Sequence, residues 1–136
     1  MEERSMDVTR LIDTYCAAWN EADAARRAAL LAEVWARGAT YTDPTVHATG
    51  ADELSAHIGG VQRARPGARI VRTSAVDAHH GVARFAWRLV QADGTALPEG
   101  LDFAVLNPEQ TAIERIVGFF GPLRPAPAHD LTAPRP

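Results

Sequence analysis

Two aspartates and one tyrosine, far apart in the chain, are the residues whose types and settings suit proton chemistry. Asp43 stands in Tyr41-Thr42-Asp43-Pro44. An aspartate before proline commonly ends a strand or opens a turn, yet an acid held at a pocket edge can also carry protons. Asp102 lies in Gly100–Leu106, where alternation places it on one face with Ala104 and Leu106, with Phe103 and Val105 opposite. A carboxyl on such a face is costly unless it is paired or protonated. The alternative is solvent, or a cross-sheet pair with Arg84, Arg88 or Arg115. Tyr15 shares the apolar side of a helical stretch with Trp19, four residues on. It therefore brings a hydroxyl to the interior, where backbone groups or a ligand can satisfy it.

The elements that must position these groups follow from the hydrophobic period. Val8, Leu11, Ile12, Tyr15 and Trp19 form one stripe of an amphipathic helix. Asp23 is a suitable N-cap for a second helix to Arg37, which buries Leu30, Leu31, Val34 and Trp35 and has Gly38 as its C-cap. A short strand, Ala39–Asp43, follows. A third helix, with Leu54, His57, Ile58 and Val61 on one stripe, stops at Pro66–Gly67. From there the period is two: strands are expected at Arg69–Val76, Val82–Gln91, Gly100–Leu106 and Ala112–Phe120, separated by turn sequences. Three helices followed by a strand meander predict an α+β fold, an antiparallel sheet covered on one face by helices. Residues 1–121 read as one domain and the proline-rich 122–136 as a mobile tail.

Composition removes several classes of function. The 136 residues are 46% hydrophobic and 23% charged, which is globular, and the net charge of −3 offers nucleic acid no general attraction. All fourteen basic residues are arginine, so lysine Schiff-base chemistry is excluded. No phosphate-binding glycine loop occurs. Cys16 is the single cysteine, which rules out an internal disulfide and a cysteine zinc site. His79 and His80 are adjacent and would point apart in extended chain, so no metal site is expected. Apolar runs are too short to span a bilayer. The acidic Met1–Val8 stretch lacks the layout of a signal peptide, so a cytoplasmic location is expected.

Three stretches carry a resemblance to the nuclear transport factor 2-like superfamily, in its ketosteroid isomerase and SnoaL-like polyketide cyclase branch. Tyr15–Asp23 is similar to the isomerase's first-helix segment with its oxyanion tyrosine. Trp35–Pro44 resembles the segment ending in its Asp-Pro, and Gly100–Asn107 with Ile113–Gly121 resembles the last two strands. The resemblance implies a cone-shaped curved sheet wrapped by three helices. It also implies Asp43 as general base, with Tyr15 and a protonated Asp102 as donors to the enolate oxygen. No cofactor is implied. An apolar small molecule is the expected substrate or ligand, with Trp19, Trp35, His57, Trp87 and Phe119 as candidate walls of its pocket. A homodimer formed through the sheet is the expected assembly. Double-bond isomerisation, polyketide cyclisation, epoxide hydrolysis and ligand carriage without reaction are all compatible with such a pocket.

Overall fold

The periodic N-terminal half gives helices α1 (Glu2–Asn20), α2 (Ala24–Val34) and α3 (Gly50–Ala64). Between and after them come strands β1 (Trp35–Asp43), β2 (Val46–Thr49), β3 (Arg69–Arg72), β4 (Asp77–His79), β5 (Val82–Val90), β6 (Gly100–Leu106) and β7 (Ile113–Phe119). The computed structural model describes residues 2–129, with side chains from Asp7 onward. Residues 122–129 add no strand, and residues 130–136 of the expected tail lie outside the described part.

The strands form one curved, open sheet in the order β2-β1-β7-β6-β5-β3, with β4 also pairing β5. Neighbours are antiparallel, as the meander predicts, except that β1 runs parallel to β7. The sheet is therefore mixed, because the first strand returns to lie beside the last. The helices cover one face, and the core between the layers includes Ile12, Leu31, Leu54, Ile58, Phe85, Ile113 and Ile116.

Asp23 caps α2 as expected, its carboxylate accepting from the Arg26 N–H at 2.9 Å. The helix stops at Val34, however, and not at Arg37. Trp35 already has extended backbone, and Gly38, with φ +76°, sits inside β1 where its register against β7 shifts. Such a conformation suits glycine in a bulge as well as in a helix cap, so the residue type alone does not separate the two.

Side-chain hydrogen bonds fix the helices that face the cavity. The Asn20 side chain pairs with both backbone groups of Ile70, at 2.9 and 2.7 Å, pinning the end of α1 to β3. Buried Arg27 donates to the Glu21 carbonyl, to Ser55 Oγ and to Gln62 Oε1, tying α2 to α3. Gln62 in turn donates to the Trp19 and Glu21 carbonyls.

The outer sheet face is less polar than Arg84 and Arg88 suggest. Val82, Phe103, Val105 and Phe119 are all exposed there.

Candidate active site

Alternation along β1 puts Tyr41 and Asp43 on one side of the strand, and the chain then turns at Pro44. Thr45 closes that turn by donating both its backbone N–H and its hydroxyl to Asp43 Oδ1, each at 2.7 Å. The Tyr41 hydroxyl donates to Asp43 Oδ2 at 2.6 Å. A carboxylate has about four lone-pair positions, so these three bonds orient Asp43 and leave one position on Oδ2. His57, from α3, brings Nε2 to 3.9 Å from that oxygen, and its ring sits against Trp19 and Tyr41.

Asp102 projects from the middle of β6 toward the helices and is 5% exposed. Trp87 Nε1 donates to its Oδ1 at 2.8 Å. The indole reaches across because its register partner is Gly100, where a Cβ would lie 2.5 Å from Trp87 Cζ2. On the other side Asp102 is registered with Gly118. A Cβ there would lie 2.8 Å from Asp102 Oδ1 and 3.6 Å from Asp43 Cβ, so a missing side chain is what separates the two acids.

Tyr15 comes from α1, its ring stacked on Trp35 with centroids 5.7 Å apart. Its hydroxyl is buried; the Trp19 indole N–H faces its oxygen, but its own proton meets no acceptor among the described residues. A buried hydroxyl in that state costs about 1–3 kcal/mol unless something else accepts from it.

These groups line a cavity of about 520 Å³ whose remaining wall is mostly apolar, including Trp19, Phe85, Leu89, Leu97 and Phe120. Its size is that of a small-molecule site. Burial raises the Asp102 pKa to about 7; the Trp87 N–H pulls it down and the nearby Asp43 charge pushes it up. Burial, reinforced by Asp102, also holds the Tyr15 and Tyr41 phenols well above their ordinary value, so both remain proton donors. The Cys16 thiol is pushed up to about 12, chiefly by burial, and is no thiolate nucleophile near neutrality.

A crystal structure of a candidate isomerase of the SnoaL-like family from Agrobacterium tumefaciens matches with a TM-score of 0.80 at 35% identity, covering 86% of this chain and 99% of that one. The chain belongs to the SnoaL-like family. Its fold is the one seen in nuclear transport factor 2-like proteins. A candidate ketosteroid isomerase from Kribbella flavida shares the fold at 19% identity and a TM-score of 0.64, over 96% of this chain and 90% of that one. A cystatin-like protein from Methylobium petroleophilum does so at 19% identity and 0.70, over 90% and 82%. No protein-family profile matches the chain, and no curated protein matches it.

In this SnoaL-like chain the structure brings Tyr15, Asp43, Asp102, Trp19, His57 and Trp87 to one cavity. Trp35 and Phe119 do not line it. Trp35 stands behind Tyr15 and supports that ring from the core. Phe119 points outward, 55% exposed, with its ring edge-to-face against Phe103; Phe120 takes the wall position and packs edge-to-face on Trp87. Sequence reasoning missed Tyr41, Thr45 and Gly118. For Tyr41 the signal was present, since residues two apart in a strand share a face.

Proposed function

We propose that this SnoaL-like protein is a cofactor-independent small-molecule enzyme that moves a proton at a carbon beside a carbonyl. The free lone pair of Asp43 takes the proton, and the C–H electron pair moves toward the carbonyl oxygen. The resulting oxyanion accepts hydrogen bonds from the Tyr15 hydroxyl and from protonated Asp102. Return of the proton to a different carbon completes a double-bond isomerisation, as in ketosteroid isomerases. Attack of the same carbanion on a second carbonyl gives an aldol cyclisation instead. The observation that carries this reading is the buried Tyr15 hydroxyl, which meets no acceptor for its proton among the described residues and shares an apolar cavity with Asp102.

A second reading, a carrier for an apolar ligand, draws support from Asp43, since both of its oxygens already accept hydrogen bonds. Incubation with an unsaturated 3-ketosteroid in deuterated water separates the two. Mass spectrometry should show solvent deuterium in the ligand, and Asp43→Asn should slow exchange by about 10²–10⁴-fold while binding and circular dichroism stay near parental. Parental exchange by the Asn variant would remove Asp43 as base, and tight binding without exchange would favour the carrier.

We also propose that two copies pair through the outer sheet face, where Phe103, Val105 and Phe119 are exposed. Light scattering of Phe103→Glu against the parent should report a monomer in place of a dimer.

A further inference from the structure

The cavity is long, and its two ends differ in charge. Phe85, Trp87 and Leu89 line it in succession along β5. Phe85 is registered with Asp102, so that end is the acid-and-phenol end. The Leu89 carbonyl accepts from the Leu97 N–H at 2.9 Å, which brings Leu97 and Pro98 into the wall. The next position of the same parity is Gln91, and its Oε1 accepts from Arg65 Nη1 at 3.0 Å. Six residues of strand from Phe85 to Gln91 advance about 20 Å. Arg65 also lines the cavity and, among the described residues, is the single lysine or arginine that does.

Arg65 is held at this mouth by backbone as well as by Gln91. It ends α3, its N–H bonding to the Val61 carbonyl, and its own carbonyl accepts from Ala68 at 3.0 Å. Gly67, at φ +80°, lets that turn lie against Ala92, whose Cβ is 2.8 Å from where a Gly67 Cβ would stand. None of the ion pairs among the described residues includes Arg65.

We infer that the substrate is an elongated apolar molecule with a carbonyl at one end and a carboxylate at the other, the carboxylate being held by Arg65. Which end carries the carbonyl rests on the proton-transfer reading above; the position of the anion does not. At the far end the base Asp43 disfavours a second carboxylate, and the hydrogens of Tyr15 and Asp102 are taken by the carbonyl oxygen. In the middle, between Ile70, Leu89 and Leu97, a carboxylate would be desolvated without a partner. Only the guanidinium offers a planar pair of donors matched to it. A molecule carrying both groups is therefore aligned with its carbonyl inward and its anion outward.

The test uses a cyclohexenone bearing a terminal carboxylate on a saturated chain, together with its methyl ester, titrated by calorimetry at low ionic strength. The parent should bind the acid about five- to tenfold more tightly than the ester, with the gap narrowing in high salt. Arg65→Gln should remove the preference. Arg63→Gln, which deletes the same charge outside the cavity, should keep it. Equal affinities in the parent, a preference that survives Arg65→Gln, or failure of both compounds to bind would overturn the inference. Asp43→Asn should bind the acid at least as well as the parent. Unchanged turnover in that variant would thus count against the base and leave the Arg65 result standing.

Discussion

The Trp87 indole donates to one oxygen of Asp102 at 2.8 Å, leaving the other oxygen of the carboxyl without a hydrogen bond from the described residues. A protonated Asp102 thus has one oxygen anchored and one available to a ligand. The same bond works against burial, because donation to a carboxylate favours its charged form. Trp87→Phe removes the donor and keeps an aromatic ring for Phe120 to pack against. The Asp102 pKa should then rise above its value of about 7. If protonated Asp102 supports turnover, the alkaline limb of the pH–rate profile should move upward as well. Carbon-13 NMR titration of the aspartate carboxyls would check the shift directly. A downward or absent shift would mean that the indole does not govern this acid.

Stability should carry the same signature. Asp102 titrates at about 7 in the folded chain, against an ordinary value of 3.8. Between those values the folded state keeps a proton that the unfolded chain has released, so stability falls as pH rises. The contribution is whole below about 3.8, shrinks through the window and is lost above about 7. Asparagine cannot ionise and still accepts from Trp87. Asp102→Asn should therefore gain on the parent as pH rises from 4 to 8, by on the order of a few kcal/mol at most. Urea denaturation of both proteins across that range measures the difference. A gap independent of pH would show that Asp102 is not held protonated by burial.

What could be read in the sequence follows from how local each cause is. Tyr15 was placed by a helical stripe and Asp102 by strand alternation, both set by neighbours a few residues away. The outward turn of Phe119 was not legible for a specific reason. In β7 the buried residues are Ile113, Ile116 and Gly118, and the register against β6 shifts between Val105 and Leu106. Parity counted from Ile113 therefore points Phe119 inward, whereas parity counted from Ile116 points Gly118 and Phe120 inward. Trp35 was misplaced by its short-range pattern with Leu31 and Val34, which reads as helix although the chain has already turned into β1. The parallel pairing of β1 with β7 depends on residues about 75 positions apart, beyond any local period. The bond from Trp87 to Asp102 needed both Gly100 and the curvature of the sheet, which no single strand encodes.

Gly118 gives the most direct control on the placement of the two acids. Its backbone needs no glycine-only conformation, so any effect of a larger residue comes from the space its side chain takes. An alanine Cβ would lie 2.8 Å from Asp102 Oδ1, and the strand is flanked by β1 and β6, which limits relief by backbone movement. Asp102 must then swing away, weakening its bond to Trp87, and the methyl fills part of the space between the two acids. Gly118→Ala should destabilise the fold by about 1–3 kcal/mol and slow proton transfer by roughly tenfold or more, in line with loss of one well-placed donor. Gly60→Ala is the matched control. It lies in α3, where the nearest atom to an added Cβ is Arg63 Nη2 at 3.9 Å, and alanine there should stabilise by up to about 1 kcal/mol. Denaturation midpoints and exchange rates of the two variants, read together, separate a general glycine effect from displacement of Asp102. Parental kinetics and stability in Gly118→Ala would show that the position of this carboxyl is not critical, and the role assigned to it would fall.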